Sequence, residues 1–391
     1  MAEPWLSIIG LGEDGPAGLS EASRAALAAA QVIFGGPRHL ALVAAGDRGC
    51  PWPVPFDLAP VLARRGQAVA VLASGDPFWF GAGGALAAAL NPGEWRAFPV
   101  AGVFSLAAAR LGWRLEDCAC LGLHAAPFAQ LVPHLAPGAR LICTLRDGPA
   151  AAALADWLVA EGWGDSRLVL LEALGGPRER IREGTAATPD LSGANVPVAV
   201  ALEPLGRPGL PRSPGLPDAS FAHDGQITKS PIRALTLAAL APRPGEMLWD
   251  LGAGSGSVSV EWALAGGRAQ AVEHRADRAA NIRANADRFG LSHRISVHHG
   301  ASATVLPGLP PPAAVFVGGG FDAALHALLP RQARLVVNAV TLETEALLIR
   351  LHATEGGELL RIDLARAEPL GRMQGWRPLR PVVQWSRGPC A

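Results

Sequence analysis

The sequence predicts two α/β domains in tandem, and three observations carry that prediction. At 391 residues the chain is too long for one ordinary hydrophobic core and suits two domains of somewhat under 200 residues each. On both sides of the middle, short β-rich runs alternate with Ala/Leu-rich helical runs, the pattern of mostly parallel sheets covered on both faces. Between them, Pro204 to Pro217 holds five prolines and three glycines in 14 residues, which excludes a helix or a central strand. The expected division is a first domain over 1–204, an extended linker over 205–220 and a second domain over 221–391.

In the first half, strands are expected at Trp5–Ile9, Gln31–Phe34, Ala68–Ala73, Arg140–Thr144, Arg167–Glu172 and Val196–Leu202. Helices are expected at Ser20–Ala30, Val103–Leu111 and Ala150–Glu161. In the second half, strands fall at Met247–Leu251, Ala269–Glu273, Ile295–His298, Ala313–Val317 and Arg334–Asn338. Helices between them include Val258–Ala265, Arg275–Phe289 and Leu342–Glu355. The tail shows two strand-like runs, Glu358–Leu364 and Leu379–Trp385, with no helix between, so an antiparallel edge pair is expected.

Composition narrows the function. Half the residues are hydrophobic and 17% are charged, so neither half is disordered. Net charge is zero, which gives no basic surface for nucleic acid. There is no signal-like start and no apolar run long enough to span a bilayer, so the expectation is a cytoplasmic protein with no membrane partner. The five cysteines, Cys50, Cys118, Cys120, Cys143 and Cys390, lack metal or redox spacing and read as structural thiols, and no metal site is expected. All but one of the 34 Lys and Arg residues are arginine. The exception, Lys229, points to a task for a compact ammonium, such as holding a carboxylate, although an ordinary exposed lysine is the alternative.

Chemistry concentrates at strand ends. Met247–Leu251 runs into Asp250-Leu-Gly252-Ala-Gly254-Ser-Gly256 and then a helix. Glycines at such a turn let backbone amides approach a ligand at the carboxyl edge of a parallel sheet. A dinucleotide site would favour G-x-G-x-x-G. The G-x-G-x-G spacing here, with an acid two residues ahead, instead suits the amino group of S-adenosylmethionine. Glu273 closes the next strand, where a carboxylate can take both ribose hydroxyls. Gly300-Ala301, after the third strand, could flank the adenine. Gly318-Gly319-Gly320, after the fourth, leaves room for a bulky substrate or is a plain turn. In the first half, Ile8-Ile-Gly10-Leu-Gly12 closes one strand. Ala73-Ser-Gly75-Asp76-Pro77-Phe78 ends another, with proline forcing a sharp exit and Asp76 left at the rim. Pro99-Val-Ala-Gly102-Val-Phe-Ser105 opens a helix, and Leu121-Gly-Leu-His124 ends a further apolar run. Taken alone, these could be ordinary loops of an α/β domain.

Taken together, these motifs resemble the bifunctional, decarboxylating corrin methyltransferases of CobL type, in which a CbiE-like and a CbiT-like half are fused. The first half resembles a tetrapyrrole (class III) methylase through Ile9-Gly-Leu-Gly12, Gly35-Gly-Pro-Arg38-His39, the Gly75-Asp76-Pro77 turn, Leu123-His124 and Glu172 to Ile181. The second resembles a class I Rossmann-like methyltransferase through Ile227-Thr228-Lys229, the Asp250 loop, Phe316 to Gly320 and Val337 to Glu343. Two departures stand out: the family often has Gly-Asp where this chain has Gly300-Ala301, and its small-residue helix start is altered to Ala101-Gly-Val-Phe104.

The resemblance implies one S-adenosylmethionine site per domain. In the first it would use Gly10, Gly12, Gly75, Asp76, Pro77, Phe78, Gly102 and Ser105. In the second it would use Thr228, Asp250, Gly252, Ala253, Gly254, Ser255, Gly256, Glu273, Gly300 and Ala301. The implied reaction is methylation of carbons 5 and 15 of a precorrin-6 tetrapyrrole with loss of the ring C acetate carboxyl, giving precorrin-8. A cobalt-bearing version of the same reactions, or another methyl acceptor, is the alternative. Arg38, His39 and Gly318–Gly320 would face the substrate, Lys229 would act on its carboxylates and His124 would carry a proton. A homo-oligomer is also implied.

Overall fold

A computed structural model describes residues 4–389, so Cys390 lies outside the described residues. The chain divides into two compact units. The first runs to Gly209, apart from Ala129–Pro133, and the second starts at Leu210.

The first unit holds two sheets. One is fully parallel, with β1 (Leu6–Leu11), β2 (Val32–Gly35), β3 (Gly49–Pro51), β4 (Val69–Ser74) and β5 (Trp95–Phe98) in the order β3-β2-β4-β1-β5. Its central strands β1 and β4 are apolar at nearly every position because both faces are covered. Ile9 and Leu72 pack to one side, and Ile8 and Val71 pack to the other.

The second sheet contains β6 (Cys118–Gly122), β7 (Arg140–Leu145), β8 (Arg167–Glu172), β9 (Arg180–Thr185) and β10 (Val198–Glu203), in the order β6-β7-β10-β8-β9. Only β6 and β7 run parallel; the other pairs are antiparallel, which departs from the expected parallel sheet. The reason is local. After Glu172 a turn, and not a helix, leads into β9, so the chain doubles back.

The second unit is built on one seven-stranded sheet. Its strands are β11 (Met247–Leu251), β12 (Arg268–Glu273), β13 (Ile295–His299), β14 (Ala314–Val317), β15 (Arg334–Ala339), β16 (Glu358–Ile362) and β19 (Val382–Arg387). The order is β13-β12-β11-β14-β15-β19-β16. The first five are parallel, as expected, and β19 pairs antiparallel with both β15 and β16. The expected tail pair is therefore present, but a hairpin of β17 (Ala365–Leu370) and β18 (Met373–Pro378) stands between its strands.

The stretch 205–220 is not a free linker throughout. Leu216 is buried in the second core, and the Gly215 and Leu216 amides donate to Glu261 at 2.6 and 3.0 Å. Proline forbids helix and ladder there, but the remaining amides find a buried carboxylate, so the latter part of the stretch belongs to the second unit.

Candidate active sites

In the first unit a cavity of about 560 Å³ opens at the carboxyl ends of β1 and β4. Three glycines make it possible. Gly75 has φ +59, and a Cβ on it would stand 2.4 Å from Gly102 Cα; a Cβ on Gly10 would stand 2.0 Å from the Gly75 carbonyl oxygen. Side chains on Gly10 or Gly75 would force apart the two strand ends and the start of helix Val103–Leu111, whose N-cap is Gly102. The cavity brings together Gly12, Arg38, His39, Gly75, Asp76, Gly102, Ser105 and His124. Gly10 lies beneath it as a spacer, and Pro77 is buried in the turn. Phe78 is half-exposed and packs on Trp95 at 5.6 Å, outside the cavity lining. Asp76 Oδ1 accepts from the Phe78 amide at 2.8 Å, which fixes the exit from β4.

One end of the cavity is polar. Arg38 pairs with Glu13 and donates to Ser74 Oγ at 2.8 Å, and its Nη2 lies 2.9 Å from His39 Nε2. Arginine has no lone pair, so the facing nitrogen of His39 must be unprotonated. Burial, and then the Arg38 charge, push His39 down to about 4 and agree with a neutral ring. Arg178 approaches Glu13 at 3.6 Å. His124 Nδ1 stands 3.2 Å from Thr144 Oγ1. Sequence reasoning missed Glu13, Ser74 and Thr144. Glu13, next to Gly12, and Ser74, next to Gly75, were the legible ones, because both adjoin the loops already singled out.

In the second unit the loop after β11 carries the chemistry. Asp250 is fully buried; its Oδ2 accepts from the Ser259 amide at 3.1 Å and the Ser259 hydroxyl at 2.6 Å. Its Oδ1 has no partner. Burial raises its carboxyl to about 6 against the pull of Ser259. Hence one of its two oxygens is committed inside the protein and only the other is left for a ligand. Glu273 Oε2 accepts from the Gly254 amide at 2.9 Å, and Oε1 accepts from the Arg275 amide at 3.0 Å. The second acid thus ties down the glycine loop; Oε2 keeps lone-pair capacity for a hydroxyl, while Oε1 also has His274 Nδ1 at 3.1 Å.

Gly252 packs so closely that a Cβ on it would meet the Gly319 carbonyl oxygen at 2.7 Å, so Gly318–Gly320 and the Asp250 loop form one surface. Beside Gly254 the space is open, with only the Gln226 carbonyl oxygen at 3.6 Å from a built Cβ. That brings the Gln226 carbonyl, two residues before Thr228, against the loop. Lys229 is the N-cap of helix Ser230–Leu240, is half-exposed and lies 3.7 Å from Asp218. The Ala253 amide donates to the Val272 carbonyl, and the Ser255 carbonyl accepts from Asn285 at 2.8 Å, so these two residues hold the loop's shape. The Gly300 amide donates to the Glu273 carbonyl at 3.0 Å, and Ala301 caps a short exposed helix. A buried acid with one unspent oxygen, beside glycines and a second acid, fits a ligand carrying an ammonium and a diol. Asp218, inside the proline-rich stretch, is the site neighbour sequence reasoning missed. Nothing in its immediate sequence signals the role.

Comparison with known proteins agrees with the two-domain reading. A family model for tetrapyrrole (corrin/porphyrin) methylases matches residues 6–190, and one for a precorrin methyltransferase domain matches residues 219–388. A precorrin-6Y C(5,15)-methyltransferase [decarboxylating] from Sinorhizobium sp is 46% identical over 99% of this chain and 97% of its own length. One of the same name from Mycobacterium tuberculosis (strain CDC 1551 / Oshkosh) is 41% identical over 97% of this chain and 98% of its own. The crystal structure of the C-terminal domain of precorrin-6Y C5,15-methyltransferase from Rhodobacter capsulatus is 60% identical, covering 45% of this chain and 98% of that one, with a TM-score of 0.45. With near-full-length identity of this order, the chain belongs to the precorrin-6Y C(5,15)-methyltransferase (decarboxylating) family.

Proposed function

We propose that this chain methylates a metal-free precorrin-6 tetrapyrrole twice and removes one carboxyl as carbon dioxide, using one S-adenosylmethionine site in each domain. The observation that carries this reading is the presence of two separate glycine-built strand-end sites in one chain of this family. The first domain, 1–204, is assigned to carbon 5. The second, 221–391, is assigned to carbon 15 and to the decarboxylation of the ring C acetate.

When bound, the donor supplies an electrophilic methyl group. The meso carbons of a partly reduced tetrapyrrole are enamine-like nucleophiles, so the protein's task is alignment and charge placement more than strong base catalysis. In the first domain, the Gly10, Gly75 and Gly102 crossing keeps side chains out of the donor's path. Arg38 offers donors to a substrate carboxylate, the neutral His39 steadies it by accepting through Nε2, and His124 takes or gives a proton at the cavity wall. In the second domain, Asp250 Oδ1 and Glu273 serve the donor's amino and ribose groups, while Lys229 anchors a substrate carboxylate above the loop. Loss of carbon dioxide leaves an electron pair that the conjugated ring accepts, followed by protonation at carbon. Leu370, Met373 and Trp376 stand out on the exposed β17–β18 hairpin and support self-association of the chain. A cytoplasmic location fits the biosynthetic role.

Incubation with S-adenosylmethionine and precorrin-6Y, followed by mass spectrometry, tests the reading. The expected product has gained two methyls and lost carbon dioxide. A gain of one methyl alone overturns the bifunctional assignment. A parallel incubation with the cobalt-bearing substrate decides between the two routes.

A further inference from the structure

Phe80 has φ +57, a left-handed backbone that is a genuine outlier for a residue with a bulky ring. Burial does not explain it, because Phe80 remains 56% exposed and its neighbour Trp79 44% exposed. The surrounding turn holds it there. The Gly83 amide donates to the Pro77 carbonyl at 2.9 Å, and Gly81 lies so close that a Cβ would meet that same oxygen at 2.5 Å. Phe78 turns away onto Trp95, and the next two rings are laid on buried Phe104, with centroids 5.4 Å (Trp79) and 5.8 Å (Phe80) away. Gly122 at the end of β6 makes the room, since a Cβ there would come within 3.1 Å of the Phe80 ring. Both rings line the cavity that holds Asp76 and His124, and so do Trp52 and Phe56, whose tilted rings meet with centroids 4.9 Å apart.

A phenylalanine serving only as packing would be buried on a relaxed backbone, and glycine would take φ +57 without cost. Something must favour an exposed ring at this point. We propose that Trp79 and Phe80 form a stacking wall that seats one face of the flat, conjugated tetrapyrrole in the first domain, which makes them determinants of specificity for that ring. The inference rests on the functional reading above. A conjugated macrocycle presents a polarisable apolar face and a rim of carboxylates. The aromatic wall takes the face, and the cluster of Arg38, His39 and Ser74 in the same cavity is left for polar groups.

Two substitutions test this in the full chain. Phe80→Gly removes the ring and relieves the backbone, so the domain should stay folded, the relieved strain offsetting part of the packing lost on Phe104. Phe80→Leu keeps bulk without a π face. With precorrin-6Y as substrate, KM for carbon 5 methylation should rise about tenfold in Phe80→Gly and by a lesser factor in Phe80→Leu. Affinity for S-adenosylhomocysteine should change by less than about twofold, because the ring is assigned to substrate and not to donor. The donor site of the second domain should be unaffected. An unchanged KM, or a loss of donor affinity in step with the rise in KM, overturns the wall. If the parent protein leaves precorrin-6Y unmethylated, the functional reading fails and the inference with it, and that outcome is visible before any variant is made.

Discussion

Asp250 is a fully buried carboxyl with one oxygen that has no partner within the protein. Burial holds it at about 6, above its ordinary value of 3.8. Between those two values the folded domain keeps a proton that the unfolded chain has released. The group therefore supports folding fully below about pH 4 and loses that support as pH rises through about 6. The displacement corresponds to roughly 3 kcal/mol. Asp250→Asn should flatten the dependence of the second domain's thermal midpoint on pH between about 4 and 6. In the parent protein, affinity for S-adenosylhomocysteine at this site should rise over the same window, since an ammonium favours the ionised acid. Calorimetry at several pH values checks both. An Asp250→Asn midpoint that varies with pH between about 4 and 6 just as the parent's does would show that Asp250 is not the buried acid described.

At the level of elements, the helix Ser230–Leu240 is anchored by a buried arginine. Arg233 is fully buried; it donates to Glu261 and to the Thr228 carbonyl at 2.5 Å each, bonds the Leu216 carbonyl and lies 4.8 Å over the Phe221 ring. One side chain thus ties the proline-rich stretch, the Thr228–Lys229 segment and helix Ser257–Leu264 together. Breaking a buried pair by removing one partner costs about 3–5 kcal/mol. Glu261→Gln should lower the second domain's stability toward that range in a denaturant titration, because it leaves the buried arginine only Asp218, 3.4 Å away, as counter-charge and weakens two amide contacts. A loss below about 0.5 kcal/mol would assign the hub no energetic role.

That hub also shows where sequence reading stops. Parallel strands such as β11 and β14 are legible because burial on both faces makes them continuously apolar. Strand β9, Arg-Ile-Arg-Glu-Gly-Thr, is an edge strand whose charges pair sideways, Arg180 and Arg182 with Glu172, so it carries no hydrophobic period. The β17–β18 hairpin exposes its apolar residues and is equally silent. At the sites, Gly75, Asp250 and Glu273 were legible because strand-end position and residue type coincide. Asp218 acts through Arg233, remote in sequence, and no local pattern announces that pair, whereas Glu13 pairs with the equally remote Arg38 but adjoins the Gly12 turn.

For the whole molecule, the decisive property is the number of donor sites, and the glycines allow each to be closed alone. Gly102 has an ordinary negative φ of −83, and a Cβ on it would meet nothing nearer than the Asp76 amide at 3.4 Å. Gly102→Val therefore adds bulk at the cavity wall with little backbone penalty. Gly254 has φ +59 but open space beside it, so Gly254→Val costs roughly 1–2 kcal/mol of backbone strain. That is tolerable in a well-packed domain and again directs bulk to the ligand side. Titration calorimetry with S-adenosylhomocysteine should find two sites per chain in the parent, one in each variant and none in the double variant. Stoichiometry is the safer readout, because if one methylation must precede the other, a single lesion silences both reactions while still removing only one site. Where turnover survives, Gly102→Val should yield a product with one methyl and no ring C acetate carboxyl. Gly254→Val should yield one methyl with the carboxyl retained. A parent chain that binds a single donor would mean that one of the two glycine-built strand ends serves the fold alone, and the assignment of two methyl transfers to one polypeptide would fall.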